Sequence, residues 1–319
     1  MSEQGKFSRG WWVVEEARKI GAKPRTLTRL GRKIVLWRDG EVLHAHAAQC
    51  PHRGVDLGAG RVVRGELECP YHGFRFDGSG RCVAMPCEGA AKKPPERLRL
   101  RAYPVREERG LAWIYFGEER DALPPLPWPE AMPATDRRSC TRPMIWSVPH
   151  SRAMEAMLDI HHAPHAHRLL SPGIGARLDP FHVRREDGAL HIDGWLRDDT
   201  PEWDGKRGAH FVYEARPPGI LHLSFGKWIS GLVAATPIDD AHTFILIRFF
   251  VPIPIIGSLI AWAALKLEIG MVQPDDERMQ RLTLRDAADL SECTLVRADA
   301  AIVEWQRLVA PRERRNEDH

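Results

Sequence analysis

The chain has 319 residues, a formal net charge of +3, 43% apolar residues and 28% charged residues. This length is enough for two domains with their own cores, and the small net charge argues against nucleic acid as a partner. Six cysteines are too few for a scaffold built on disulfides. Fifteen histidines stand out more, and their positions carry most of the functional information.

Neither the N-terminus nor the most apolar segment predicts a membrane protein. Residues 1–10 are polar and lack the apolar core of a signal peptide. Residues 249–265 carry no charge, but they contain two prolines and fall short of the roughly 20 residues of a spanning helix. We interpret them as a strand end, a turn and a core helix that begins near Ser258. A membrane-contacting surface is the alternative, and we expect a soluble, cytoplasmic protein.

The first 120 residues contain short strand patterns. Residues 33–37 and 42–48 are β-rich runs joined by Asp39-Gly40, a dipeptide typical of hairpin turns. Residues 74–76 precede another turn, and residues 111–116 read as a buried strand. These patterns predict an antiparallel all-β domain over residues 1–120.

A proline-rich segment, residues 121–135, follows this domain. Five prolines in fifteen residues exclude a helix or a central strand. We therefore predict a linker at 121–135 and a second domain at 136–319.

The second domain opens with a helical run over residues 151–163, which ends before Pro164. Strand patterns follow at 189–197, 210–215, 219–226, 229–236 and 243–251, and helical patterns at 258–289 and 298–309. The predicted fold class is α+β, with an antiparallel sheet and long helices on one face.

Cysteines and histidines form a first metal pattern in the N-terminal domain. Cys50 and His52 make a C-x-H motif, and Cys69 and His72 make a C-x-x-H motif sixteen residues later. A Cys₂His₂ zinc site is the alternative, but zinc motifs usually pair cysteine with cysteine and histidine with histidine. Mixed pairs are typical of a Rieske [2Fe–2S] centre, in which one iron takes both cysteines and the other takes both histidines.

The residues around these motifs, CPHRGVDLGAGRV and CPYHGFRFDGSGRC, resemble the Rieske domain of Rieske non-heme iron oxygenases. The resemblance covers about residues 10–118. Cys82 and Cys87 lie outside the ligand pattern, and we expect both to be buried thiols.

A second cluster, EAMLDIHHAPHAH at residues 155–167, holds four histidines and two carboxylates. On a straight helix His161 and His165 would share a face, whereas His162 and His167 would diverge by about 140°. Pro164 disturbs the helix, however, so spacing alone does not decide which pair binds a metal.

The oxygenase resemblance does favour one pair. The family's catalytic domain carries D-x-x-H-x₄-H, often after a glutamate and with a proline two residues after the first histidine. In this chain the matching residues are Glu155, Asp159, His162, Pro164 and His167. The match is somewhat closer to the pheophorbide a oxygenase-like branch. It implies that His162 and His167 bind a mononuclear iron, with His161 and His165 as neighbours.

Two histidines and one carboxylate form the facial triad of non-heme Fe(II) oxygenases. The resemblance places the carboxylate on a long C-terminal helix, where VQPDDERMQ at 272–280 offers Asp276 as the best match and Asp275 as a competitor. If both were surface acids, the triad would lack its third ligand.

Further features come only from the resemblance. The catalytic domain would have a helix-grip (START/Bet v 1-like) fold. Asp159 would connect an iron ligand of one subunit with the cluster ligand His72 of another. Electrons would then cross a subunit boundary, and the chain would form a homotrimer.

The resemblance implies a terminal oxygenase that uses O₂ to hydroxylate, demethylate or dihydroxylate a hydrophobic organic substrate. A ferredoxin, an NAD(P)H-dependent flavin reductase or both would supply electrons from separate chains. A Rieske-dependent desaturase or oxidative cyclase is an alternative within this class. A Rieske electron carrier with a ligand-binding domain is the alternative outside it.

Two weaker patterns concern partner and substrate. Residues 1–40 hold ten lysines and arginines against four acids, which favours either a docking surface for an acidic ferredoxin or an ordinary solvated face. Apolar and aromatic residues along the second-domain strands, together with the helix at 258–271, predict an apolar cavity, with core packing as the alternative. The strand residues are Trp195, Phe211, Tyr213, Leu223, Phe225 and Trp228.

Overall fold

A computed structural model describes residues 8–117, 122–133, 138–168, 173–225, 229–283 and 293–310, and for Phe225 the backbone alone. These residues contain antiparallel sheets and a smaller number of helices, which confirms the predicted α+β class.

The N-terminal part is built from three small antiparallel sheets, with the strand orders β1-β10-β9, β2-β3-β4 and β5-β6-β7-β8. The predicted hairpin between residues 33 and 48 is present, and the strand predicted at 111–116 has the same bounds in the structure. The strands are β1 (Gly10–Glu16), β2 (Arg25–Arg29), β3 (Arg32–Asp39), β4 (Val42–Ala47), β5 (Arg61–Val63), β6 (Glu66–Glu68), β7 (Arg75–Phe76), β8 (Cys82–Ala84), β9 (Val105–Glu108) and β10 (Leu111–Phe116).

The C-terminal part contains a seven-stranded antiparallel sheet in the order β11-β17-β16-β15-β14-β13-β12. The five predicted strand runs match five of these strands within two residues, because each run is bounded by turn residues. The strands are β11 (Ser139–Trp146), β12 (Arg177–Glu186), β13 (Ala189–Arg197), β14 (Ala209–Arg216), β15 (Ile220–Phe225), β16 (Ile229–Pro237) and β17 (Thr243–Phe250).

The helices of the C-terminal part differ from the prediction in one respect that affects the site. The first run, predicted to continue to residue 163, ends earlier as α1 (His150–Leu158). A separate single turn, α2 (Ala163–Ala166), follows and contains Pro164, contrary to the expected end before this proline. The second run forms α3 (Gly257–Leu267), a π-helical segment (Glu268–Val272) and α4 (Gln273–Leu282). The rest of the predicted run, residues 284–289, lies outside the described residues. The last helix is α5 (Ala300–Val309).

Proline explains the π-helical segment. Pro274 has no backbone N–H, and in a regular α-helix its ring would clash with the carbonyl of Gly270, four residues earlier. One wider turn before the proline removes this conflict.

The seven-stranded sheet buries both of its faces. Val233, Ile245 and Ile247 belong to a core shared with α1, α3 and α5. Their strand neighbours Leu232 and Leu246 belong to a second core shared with strands β1 and β10. Because side chains alternate along a strand, the helices pack on one face of the sheet and the N-terminal part on the other.

The described residues of the proline-rich segment, 122–133, contain no helix or strand and pack along this second core. Trp11 donates its Nε1 hydrogen to the carbonyl oxygen of Pro124 (2.8 Å), and the ring of Trp128 meets Trp113 edge to face. The segment therefore contributes apolar side chains to the contact between the two parts.

Helix α3 departs from the expected core helix. It buries Gly257, Ala261 and Leu265, whereas Leu259 is 62% exposed and Trp262 and Leu267 also reach the surface. Among the described residues we find no helix that has both the length and the apolar character needed to cross a bilayer.

Candidate metal centres

The four predicted cluster residues lie on two loops with the same hydrogen-bond pattern. The amide of Cys50 donates to the carbonyl of Val55 and the amide of Gly54 to that of Cys50. The second loop repeats both bonds: the amide of Cys69 donates to the carbonyl of Phe74, and the amide of Gly73 donates to that of Cys69. Each loop needs a glycine at its fifth position, because Gly54 (φ +74°) and Gly73 (φ +66°) have left-handed backbones.

The side chains of these loops fit a mixed thiolate and imidazole site. Cys50 and Cys69 are buried, and the Nδ1 atoms of His52 and His72 lie 3.2 Å apart. Burial and the neighbouring Cys69 thiol raise the pKa of Cys50 to about 11. Two buried thiols side by side, with two ring nitrogens facing each other, suit iron, which would displace the thiol protons.

The other cysteines correct one prediction. All six cysteines are free thiols, and Cys82 is buried as expected. Cys87 is exposed, contrary to prediction, because it lies in a surface turn after Pro86.

The break between α1 and α2 decides which histidines can converge. Helix α1 ends at Leu158, and the backbone of Asp159 is extended. His162 and His167 then flank the single turn of α2, with Pro164 in its first turn, where a missing N–H costs little. The angular argument for a continuous helix therefore does not apply to this pair.

Three side chains meet at one point in the C-terminal part. The Nε2 atoms of His162 and His167 lie 3.2 Å apart, and Oδ1 of Asp276 lies 3.1 Å from the first and 2.9 Å from the second. Asp276 is 11% exposed, whereas Asp275 is 38% exposed and its carboxylate lies 3.9 Å from Nδ1 of His167. The structure therefore brings Asp276, and not Asp275, to the two Nε2 atoms.

This triangle fits a divalent transition metal. Neighbouring ligands of an octahedral ion with bonds of roughly 2.1 Å lie about 3 Å apart. Two imidazoles and one carboxylate on one side also leave further coordination positions open, as in the facial triad.

The charges around His162 favour a cation at this point. Burial by itself would lower the pKa of His162, but the carboxylates of Asp159 and Asp276 outweigh it and raise this pKa to about 10. Burial would likewise raise the pKa of Asp276, but His162 and His167 hold it below its usual value. A site that favours a proton in this way also favours a metal cation, which would replace the proton.

The remaining polar residues of the cluster surround this triangle. Oδ2 of Asp159 lies 3.5 Å from Nδ1 of His162, and its Oδ1 lies 2.9 Å from Nδ1 of His161. His165 is exposed and points to no partner among the described residues. Glu155 is buried against Arg152 (2.6 Å) and accepts a hydrogen bond from Gln306 (3.2 Å), which ties α1 to α5.

A cavity of about 240 Å³ adjoins the triangle. Of the residues predicted to line it, Phe211, Tyr213 and Leu223 do so. Trp195 instead stacks on His210, and the side chain of Phe225 and all of Trp228 lie outside the described residues. The apolar helix reaches the cavity through the π-helical segment, at Glu268 and Val272.

Sequence reasoning missed two polar residues of this cavity, Glu268 and Gln273. The signal was present, because Glu268 and Lys266 are the charged residues at the end of a mainly apolar helical run.

Part of the basic stretch at residues 1–40 is paired within the chain. Several of its cations pair with acids close by, and Arg29 is buried with its guanidinium 3.8 Å from the Phe244 ring centre. The ion pairs are Arg18–Glu16 (2.8 Å), Lys19–Glu16 (2.7 Å), Arg25–Glu15 (3.1 Å) and Arg38–Glu107 (2.5 Å).

Residues 10–104 match the family model of the Rieske [2Fe-2S] domain. The chain is 30% identical over 257 residues to "Protein TIC 55, chloroplastic" from Arabidopsis thaliana, which covers 75% of this chain and 46% of that protein. It is 30% identical over 235 residues to the "Putative toluene-4-sulfonate monooxygenase system iron-sulfur subunit TsaM2" from Comamonas testosteroni, covering 69% of this chain and 67% of that protein. The chain thus spans less than half the length of the TIC 55 protein it matches.

A crystal structure of dicamba monooxygenase bound to dicamba has the same fold. It superimposes with a TM-score of 0.76 at 22% sequence identity, covering 95% of this chain and 96% of that chain. The likeness therefore extends over both the N-terminal sheets and the seven-stranded sheet.

Proposed function

We infer the function of this chain from its family, since it belongs to the Rieske non-heme iron oxygenases. This membership is shown by the matched Rieske domain and by relatives such as the Comamonas testosteroni subunit. The similarity to TIC 55 supports the branch that the sequence resembles. Within this family, the chain acts as a terminal oxygenase component that oxidises a hydrophobic organic substrate with O₂.

The observation that carries this proposal is the triangle of His162, His167 and Asp276 next to an apolar cavity. A Rieske electron carrier would need the cluster loops but no second metal site. In the proposed enzyme these three side chains hold the mononuclear iron, while Cys50, His52, Cys69 and His72 hold the cluster. When bound, the two iron groups supply electron transfer and the activation of O₂.

The chain's own residues position the reacting groups. Asp159 orients His162 through Nδ1, so that Nε2 faces Asp276. The cavity walls exclude water and hold the substrate mainly by apolar contacts. The apolar lining residues include Met157, Ile160, Phe211, Leu223, Val233 and Phe249.

The proposal also includes partners and assembly. A separate ferredoxin, flavin reductase or both donate electrons near His52, which is exposed. In a homotrimer, Asp159 would meet the cluster side of a neighbouring subunit at His72, which explains why a carboxylate beside His162 retains accessible surface. The cytoplasmic location stays a prediction from the sequence.

Metal analysis and oxygen uptake test the function. The purified protein should contain about three irons and about two acid-labile sulfides per chain. With a reduced [2Fe–2S] ferredoxin and an apolar aromatic substrate, it should consume O₂ and place ¹⁸O from ¹⁸O₂ in the product. Two irons per chain without O₂ uptake would identify an electron carrier. Demethylation would send the ¹⁸O to released formaldehyde and leave the main product unlabelled. Oxidised product without label and without formaldehyde would therefore identify a desaturase or cyclase.

A further inference from the structure

The cavity beside the iron triangle has a polar corner that the proposed iron chemistry does not use. Apart from Asp159 and the three triangle residues, its polar lining consists of Tyr213, Glu268 and Gln273, and all other described lining residues are apolar. Glu268 and Gln273 lie on the π-helical segment and at the start of α4, close in sequence to Asp276 but outside the triangle.

Gln273 has a buried acceptor that lacks a partner. The residue is 5% exposed, and its Nε2 donates to Oε1 of Glu268 at 2.8 Å. Its Oε1 is buried and has no hydrogen-bond partner among the described residues. A buried carbonyl oxygen without a donor costs about 1–3 kcal/mol. Because Gln273 lines the cavity, a donor group on a ligand bound there would remove this cost.

The π-helical segment creates this pair. Residues 268 and 273 are five apart, and in an α-helix their side chains would diverge by about 140°. In the structure the backbone N–H of Gln273 instead donates to the backbone carbonyl of Glu268, which is the i to i+5 hydrogen bond of a π-helix. The wider turn places Gln273 above Glu268, and Pro274 is the reason for that turn.

The carboxylate of Glu268 fixes the orientation of the side-chain amide of Gln273. In the structure Oε1 of Glu268 accepts the hydrogen bond from Nε2 of Gln273. A carboxylate accepts only, so Nε2 of Gln273 must face it and Oε1 is left for the ligand.

We propose that Glu268 and Gln273 form a polar subsite that binds a hydrogen-bond donor, a hydroxyl or an N–H group, on an otherwise apolar substrate. This inference rests on the proposed function and names its substrate class. A substrate of this class would place its apolar body against the cavity walls and donate one hydrogen to Oε1 of Gln273.

Three bicyclic probes of nearly equal shape test the subsite. Indole carries an N–H donor, benzofuran carries an acceptor in its place, and indene carries neither. Their dissociation constants are measured by calorimetry on the whole protein, loaded with iron and kept free of O₂. Indole should bind about tenfold more tightly than benzofuran or indene, since only indole satisfies the buried acceptor. Equal affinities, or no binding of indole, would overturn the proposal.

Two variants and one control assign the preference to Gln273. Gln273→Leu and Gln273→Met keep the approximate volume and remove the acceptor, so either folded variant should bind all three probes alike. Val233→Ala removes an apolar wall and should weaken all three probes by a similar factor. A preference for indole that persists in both Gln273 variants would refute the assignment.

These measurements are independent of turnover. An indole preference in a protein that lacks O₂ uptake would retain the subsite and reject the oxygenase function. O₂ uptake with equal affinities for the three probes would support the oxygenase function and reject the subsite.

Discussion

The carboxylate of Asp159 lies 3.5 Å from Nδ1 of His162, on the opposite side of the ring from the nitrogen that faces Asp276. One histidine therefore links two carboxylates, one within the iron triangle and one outside it. A carboxylate behind a metal-binding imidazole fixes the ring and makes it a stronger ligand. In the proposed homotrimer, this relationship would connect the iron site with a neighbouring subunit.

Asp159→Asn should keep the fold and weaken the iron site. The amide is neutral and supports His162 less well, so iron affinity or turnover should fall about 10–100-fold. Iron affinity is measured by competition with a chelator, and cluster oxidation by stopped-flow absorbance. His165→Gln, at an exposed position, is the matched control and should change neither quantity. An Asp159→Asn protein with unaltered affinity and cluster oxidation would contradict the assigned role.

Asp276→Ala should lose the mononuclear iron and keep the cluster. Its Oδ1 is one corner of the triangle, so the iron content should fall from about three to about two per chain, with unchanged sulfide and visible spectrum. Asp275→Ala is the matched control, because that carboxylate lies outside the triangle. Iron retained in the Asp276 variant, or lost in the Asp275 variant, would contradict the assignment of Asp276 as the third iron ligand.

Glu155→Ala should destabilise the C-terminal part. Glu155 and Arg152 form a buried ion pair (2.6 Å), and removing one partner leaves a buried charge, at a cost of about 3–5 kcal/mol. Urea unfolding measures the change. The double variant Arg152→Met/Glu155→Met leaves no buried charge and should recover most of the lost stability. A double variant as unstable as the single one would show that the pair stabilises α1 through more than its charges.

His46 should make the N-terminal part sensitive to acid. Trp37 donates its Nε1 hydrogen to Nδ1 of His46 (3.0 Å), and burial, followed by the nearby His44, lowers the pKa of His46 to about 4. The unfolded chain protonates His46 near pH 6.5, whereas the folded chain does so only near pH 4. The free energy of unfolding should therefore fall by up to about 3 kcal/mol as the pH falls from 6.5 toward 4.

His46→Gln keeps an acceptor for Trp37 and cannot gain the charge. The free energy of unfolding of this variant, measured from pH 7 to pH 4, should fall less steeply than that of the native chain. Some slope remains, because burial also lowers the pKa of His150 to about 4. His182→Gln, at an exposed position, is the control. Identical slopes for the His46 variant and the native chain would refute the assignment.

Much of the fold follows from local sequence patterns. Residues 111–116 and 189–197 are strands with the predicted bounds, since each is a continuous β-rich run between turn residues. Strand β1 was not predicted, and its partner β10 lies about a hundred residues away. Pairing over such a distance leaves no mark in a short window of sequence.

The two metal sites show the same contrast. The cluster motifs can be read from the sequence because each loop holds a cysteine, a histidine and a glycine within five residues. The iron triangle depends on the early end of α1 and on a contact between residues 162 and 276. Spacing on an ideal helix favours His161 and His165, whereas the structure brings His162 and His167 together, because the actual helix is broken.

The sequence by itself determined the α+β class, the two loops with cluster-type ligands and the histidine-rich segment that supplies the second site. Only the tertiary structure decided that Asp276 rather than Asp275 meets the histidines, that Cys87 is exposed and that a π-helical turn joins Gln273 to Glu268. The physical reason is the range of the interactions. Turns, loops and strand propensities depend on neighbouring residues, whereas convergent ligands and a polar corner in an apolar cavity depend on how distant elements pack.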